Sequence, residues 1–427
     1  MKGLYKWGLA CMVVGAMAGF TAPIFAEETA PAIAPAQDEG KMANFFKSIE
    51  LSGFVDTYYS YNFAKPHDQR GGTQTGRDLN SAGASTFADV RAFDRENDSF
   101  TLDNIEISVF KPSTEKDPIG FGFTTNYGEI AQRLTFVPSR GRVDGASGSQ
   151  DFTVSQGFVT YKAPVGKGLD FKFGKFATWI GAELWESVDN PNFSRSLLYQ
   201  NAIPFTNTGL SMSYPLLDQL TTTFYLVNGW DTFVDNNNSK TLGYQFNWKI
   251  SDSTNFIVNG SHGAEQDENV IKNAEGNWRH FWDIILALKP LPKTTVNVNF
   301  DYGTEQGGAM MSTAIGNAAL AGAPVDSLGN CKWWGLSTIL GYDFTDSVNV
   351  ALRGEYFEDK DGGRIGVSGL DIWETTLTTT VKIRQNLLVR PEIRYDQANK
   401  GIFGGADRTS GGTDNELTTA IDVAYMF

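Results

Sequence analysis

From about residue 49 onward the chain alternates between apolar and polar positions. Val296, Val298, Phe300 and Tyr302 oppose Thr295, Asn297, Asn299 and Asp301. Leu242, Tyr244, Phe246, Trp248 and Ile250 oppose Thr241, Gln245, Asn247 and Lys249. Trp282, Ile284, Leu286 and Leu288 share one face, with Asp283 and Lys289 on the other. A period of two places successive side chains on opposite faces of a β-strand. The pattern predicts sixteen strands: 49–61, 99–111, 119–127, 152–163, 168–176, 206–214, 219–230, 240–250, 254–263, 280–289, 294–302, 332–344, 347–357, 371–383, 387–396 and 414–427. In the last of these, Leu417, Thr419, Ile421, Val423, Tyr425 and Phe427 form an oily face opposite Glu416, Thr418, Ala420, Asp422, Ala424 and Met426.

The spacing between strands separates two architectures that share this pattern. Connections alternate long and short: 62–98 is long and 112–118 short, 128–151 long and 164–167 short, 177–205 long and 215–218 short. Further on, the turns 251–253, 290–293, 345–346 and 384–386 are each flanked by a longer loop. Transmembrane barrels have short periplasmic turns and longer extracellular loops, whereas a soluble sandwich has no reason to keep every second connection short. The expected fold is therefore all-β, a transmembrane antiparallel up-and-down barrel of about 16 strands covering 49–427, with both termini on the periplasmic side.

Aromatics gather towards strand ends, with Tyr59, Tyr61, Tyr302, Tyr356, Trp373 and Tyr395 near loops and Tyr161, Tyr214, Trp248 and Phe344 near turns. Two such girdles would mark the headgroup regions. Pro391 interrupts the strand 387–396, where a barrel has no free edge to excuse its missing N–H, so a bulge or bend is expected there.

Residues 1–26 read as a secretory signal: Lys2 and Lys6, an apolar stretch from Gly8 to Phe20, then Ile24-Phe25-Ala26 before Glu27. The Ala- and Pro-rich stretch within 27–48 reads as a disordered periplasmic lead-in. Once the signal leaves, Cys331 is the only cysteine, so no intramolecular disulfide can form and a closed hydrogen-bonded barrel must supply stability. The formal charge is −14, becoming −16 without Lys2 and Lys6, which argues against a nucleic-acid partner.

Aromatic and aliphatic residues alternating up to a terminal Phe427, with Tyr425 before it, resemble the C-terminal signature of bacterial outer-membrane barrels, a barrel-closing signal for the assembly machinery. Four further segments resemble the OmpL-like β-barrel porins of Gram-negative outer membranes: GKFATWIGAE (174–183), DNPNFSRSLLYQNAIPFTNTGL (189–210), NGW with Asp231 (228–231) and NLLVRPEIRYD (386–396). The resemblance implies an outer-membrane channel and says little about cargo. By analogy with other porins it also implies a homotrimer.

Little in the sequence suggests catalysis. His67, His262 and His280 have no metal-ligand spacing, and Ser261 and His262 are neighbours on one strand and so face opposite ways. Gly71-Gly72, Gly307-Gly308 and Gly411-Gly412 read as loop tips rather than phosphate loops. The expectation is no enzyme activity, no metal and no cofactor. Charged strand residues all fall opposite the oily stripe: Lys172, Arg353, Glu355, Lys382, Arg390, Glu392 and Arg394, with Glu106, Asp170, Glu374, Asp396 and Asp422. Charge on the lipid face near midplane costs roughly 2–4 kcal/mol for Arg or Lys, so these should line the lumen. They would then either face solutes or pair across strands to hold the barrel.

The loop 177–205 carries Glu183, Glu186, Asp189 and Arg195 among Trp179, Trp185, Leu197, Leu198 and Tyr199. It is the candidate constriction if it folds inward, and a cap or subunit contact if it does not. The expected function is passive diffusion of small hydrophilic solutes and ions through the outer membrane of a Gram-negative bacterium. A mild cation preference is expected because acids outnumber bases in this loop and in 264–279 (Glu265, Asp267, Glu268, Glu275 against Lys272, Arg279). The rivals are a substrate-selective channel and a surface protein whose loops bind a partner. Membrane lipid and lipopolysaccharide are the expected surroundings, and the acidic loops could instead bind divalent cations that bridge lipopolysaccharide.

Overall fold

The computed structural model describes residues 45–64, 90–137, 141–142, 151–268, 274–307, 329–403 and 412–427. The signal (1–26), most of the lead-in, His67, Gly71-Gly72, Gly308, Gly411 and Lys272 lie outside them. Sixteen strands form one closed sheet: β1 Glu50–Asn62, β2 Ser99–Lys111, β3 Ile119–Tyr127, β4 Phe152–Ala163, β5 Leu169–Ala177, β6 Thr206–Leu217, β7 Leu220–Val227 and β8 Thr241–Ser251. The second half is β9 Thr254–Ala264, β10 Trp278–Leu288, β11 Thr294–Glu305, β12 Cys331–Asp343, β13 Val348–Asp361, β14 Ser368–Ile383, β15 Leu387–Ala398 and β16 Asn415–Met426. Each strand pairs antiparallel with its sequence neighbours. β1 pairs with β16 from Phe54↔Met426 to Asn62↔Thr418 and closes the ring.

At this seam Gly53 and Phe427 exchange backbone hydrogen bonds of 3.0 and 2.9 Å. A Cβ on Gly53 would meet the Phe427 ring at 2.7 Å, so the terminal aromatic lies where only glycine leaves room. The inside–outside alternation is clear in β16: Ile421 and Tyr425 are 45% and 51% exposed, while Asp422 and Ala424 are 0%. Oily residues face outward and charges inward, the reverse of a soluble core, because lipid is the solvent outside. Among the described residues no helix is long and apolar enough to cross a membrane. Aromatics stand outward at both rims, Trp278 and Trp373 near loops and Tyr161, Trp248 and Phe344 near turns.

Three local expectations are corrected. β7 stops at Val227 rather than 230, because Gly229 (φ +132°) and Asp231 (φ +52°) turn the chain inward and bury Trp230. The connection after β13 shrinks to 362–367, since its ladder with β14 continues through Glu358↔Asp371 to Asp361↔Ser368. Pro391 makes no bulge: β15 keeps one register with β16 through Pro391↔Ile421. Its ladder to β14 lapses only between Thr378↔Glu392 and Val381↔Val389, where the missing N–H falls.

Candidate functional site: a loop folded across the lumen

The segment between β5 and β6 turns into the barrel and crosses it. Its apolar residues set this course. Trp179 stacks on Tyr225 of β7 with ring centroids 3.9 Å apart, and Leu197, Leu198 and Ile203 join wall residues Phe281, Trp333 and Phe357 in one buried cluster. Burying such side chains stabilises the inward course at about 25 cal/mol per Å² of apolar surface. Ser187–Asp189 forms a 3-10 turn and Leu198–Ala202 a single π-helical turn.

An irregular loop in a protein interior must find partners for its backbone. Here the barrel wall supplies them. Gly181 N–H donates to Asp283 (2.9 Å) and Ala182 N–H to Asn299 (3.1 Å). Phe193 and Ser194 N–H donate to Glu392 (2.8 and 3.1 Å), and Leu197 and Leu198 N–H both donate to Glu355 (2.7 Å). The arginines hold the carbonyls: Arg353 donates to Ser194 O (2.6 Å), Arg390 to Ser187 O (2.6 Å) and Arg394 to Arg195 O (2.8 Å). Carboxylates balance them, Glu374 and Glu183 for Arg353 (both 3.0 Å), Asp422 for Arg390 and Asp396 for Arg394 (2.7 Å). A guanidinium's planar fork of five donors can serve a carboxylate and a carbonyl together, which a lysine could not match.

The candidate residues therefore separate. Arg353, Glu355, Arg390, Glu392 and Arg394 do lie on the inner wall, but all are buried beneath the loop. Glu183 and Arg195 are buried too, Glu183 against Arg353, and Arg195 donating to Phe193 O (2.9 Å) and Trp185 O. Glu186 is only half-buried and Asp189 is exposed. Glu106 of β2 lies behind them, accepting from Asn126 (2.9 Å) and Trp185 (3.4 Å). Burial, with the Glu106 and Asp189 carboxylates nearby, holds the Glu186 carboxyl well above the usual carboxylate range. Lys172 is half-buried on β5, its Nζ 4.6 and 5.5 Å from the Phe158 and Phe176 ring centroids, and Lys382 is half-buried near the turn end of β14.

Asp283, Asn299 and Ser187 were not singled out by sequence reasoning as loop partners. Only their inward parity on a strand, or their place in the loop, hinted at it. The acid-rich stretch after β9 also differs from a simple ring at the mouth. Glu265 and Asp267 are buried, Glu265 accepting from Trp230 N–H (2.7 Å), whereas Glu268 and Glu275 are exposed.

The four quoted segments meet at this one place. Three contribute the loop and its flank: 174–183, 189–210 and 228–231, whose Asp231 accepts from the N–H groups of Phe205 and Thr206 (both 2.8 Å). The fourth, 386–396, supplies Arg390, Glu392 and Arg394. Residues 48–427 match the model of the family described as "Putative beta-barrel porin-2, OmpL-like". The chain belongs to this porin family. A porin barrel is a transport protein rather than an enzyme. A search of curated protein sequences finds no match. Solved porins share the fold at low identity. OmpF of Salmonella typhi, in complex with daunomycin, is 11% identical with a TM-score of 0.55, over 89% of this chain and 97% of that one. The anion-selective porin of Comamonas acidovorans is 9% identical (TM-score 0.54, 89% and 99% covered). The outer-membrane channel DcaP of Acinetobacter baumannii is 10% identical (TM-score 0.54, 89% and 97% covered).

Proposed function

We propose that this porin gives small hydrophilic solutes and ions passive passage across the outer membrane of a Gram-negative bacterium, with a mild cation preference. On this reading residues 1–26 are removed, the mature chain begins near Glu27, and the terminal Tyr425 and Phe427 engage the assembly machinery. The observation that carries the reading is the loop 178–205, held across the lumen by wall charge, with Glu186 half-buried and Asp189 exposed. A barrel of this strand number encloses an aqueous channel, and the loop sets its width. On this reading the path passes the 184–189 segment, where Glu186 is half-buried and Asp189 exposed, and the half-buried Lys172 of β5.

A second reading, substrate selectivity, is favoured by the full burial of Arg195, Arg353, Arg390 and Arg394, which leaves less of the lumen open than a loose loop would. Planar-bilayer conductance with a panel of sugars, amino acids and salts tests both. Ohmic conductance indifferent to solute supports general diffusion; block by one solute class supports selectivity. Absence of conductance would leave only a surface-binding role for the long loops. Crosslinking in native membranes tests the homotrimer that porin analogy implies, and a chelator wash tests whether exposed loop acids bridge lipopolysaccharide through divalent cations.

A further inference from the structure

His262 of β9 and His280 of β10 are directly opposed cross-strand partners. Both stand on the outer face, since their neighbours Ser261, Arg279 and Phe281 are buried inside the barrel. They lie in the third-from-last and third positions of their strands, at the loop end, half-exposed beside Trp278 and Trp282. Ring centroids place Trp282 5.2 Å from His262, and Trp278 5.9 Å from His280. The site thus sits in the outer aromatic girdle, at the depth where lipid gives way to water.

The two Nδ1 atoms are 3.2 Å apart. One imidazole could donate to the other, but the same separation suits a shared metal. Two nitrogens each ~2.0–2.1 Å from zinc, at a tetrahedral angle, lie about 3.3 Å apart. Imidazole is also the side chain that zinc, copper and nickel prefer among nitrogen and oxygen donors. Pairing across a rigid ladder fixes the two backbones opposite each other before any ion arrives, so less ordering entropy remains to oppose binding.

We propose that His262 and His280 form a bidentate site for a divalent transition cation, of the zinc, copper or nickel class, on the outer wall of the barrel. The remaining coordination positions would be filled by water. The proposal does not depend on what the channel conducts.

The test is calorimetric titration of the tag-free full-length barrel in detergent with zinc chloride. Saturable binding of one ion per chain is expected. It should weaken by about tenfold or more in His262→Gln and in His280→Gln, and stay unchanged in His67→Gln. Absence of saturable binding in the parent protein, or equal affinity in all three variants, overturns the proposal. Should a variant fail to assemble, acylation of the parent protein by diethyl pyrocarbonate gives a second readout. Zinc should protect His262 and His280 but not His67, and equal labelling of all three with and without zinc overturns it.

Discussion

On the β13–β16 side of the lumen, Arg353, Arg390 and Arg394 direct their donors to loop carbonyls and neighbouring carboxylates, and Glu355 and Glu392 accept loop N–H groups. On the β2–β5 side, Lys172 rests over two aromatic rings, and of the loop acids Glu186 is half-buried and Asp189 exposed. Both sides carry inward charge at alternating strand positions, so hydropathy cannot tell them apart. What separates them is the loop, whose backbone is held by charges of one wall and which meets the other through side chains such as Trp185 at Glu106. On the proposed reading, charge in this lumen is of two kinds, one that holds the loop in place and one that meets the solute.

The strongest way to break this contrast is to remove the anchoring wall. β16 carries Asp422, the counter-charge of Arg390, and joins β1 through the Gly53–Phe427 pair. Deleting Tyr425–Phe427 should open the seam and leave unpaired strand edges that lipid cannot satisfy. The expected outcome is loss of most outer-membrane protein, read by immunoblot of membrane fractions, with Phe427→Ala showing a smaller loss in the same direction. Parental levels in both would mean the terminal aromatic neither closes the barrel nor serves as an assembly signal.

A milder break leaves the barrel intact and frees the loop. Arg353→Ala removes the donors to Ser194 and takes from the buried Glu374 and Glu183 their 3.0 Å guanidinium partner. Losing one member of a buried ion pair costs roughly 3–5 kcal/mol. Single-channel conductance should rise several-fold and become noisier, and the barrel should melt at lower temperature. Lys172→Ala, on the other side, should leave the melting temperature nearly unchanged and alter only ion selectivity. Similar effects from both variants would erase the distinction between the two walls.

Much of this was legible in the sequence because lipid imposes a simple rule. Every crossing strand must alternate, and every second connection is short, so strand number follows from alternation and spacing, and the placement of Arg353, Arg390 and Arg394 on the inner wall from parity. What parity cannot reveal is which inward residues face each other across the lumen. Glu355 and Leu197 are 158 residues apart in the chain yet bonded at 2.7 Å, and nothing periodic links them. Glu183, Glu186, Asp189 and Arg195 likewise share one loop but not one environment, Glu183 and Arg195 being buried, Glu186 half-buried and Asp189 exposed. Adjacency in a loop does not say which side chain turns toward the wall. The resemblance segments came nearer, since a loop motif and a strand motif without a shared period turned out to be the two halves of one contact.

The smallest effect is the most discriminating, because it isolates charge that meets the solute from charge that holds the loop. Glu186→Gln and Asp189→Asn together should reduce the cation preference measured as a reversal potential in a salt gradient, with little change in conductance or stability. Changing Glu183 should instead resemble a weaker Arg353 variant, since Glu183 is its counter-ion. The preference should also depend on pH in a direction fixed by Glu186. Its carboxyl is held above the ordinary range by burial and by Glu106 and Asp189, so it stays neutral at pH values where a free glutamate, with a pKa near ~4.3, is already charged. Negative charge at the constriction therefore appears as pH rises through the raised value and vanishes as pH falls. Cation preference should grow from acidic to alkaline conditions, most steeply at low ionic strength where screening is weak. In the double variant that slope should flatten. A preference already saturated at acidic pH, or a slope that survives both substitutions, would place the selectivity elsewhere, at the exposed acids of the outer loops such as Glu268 and Glu275.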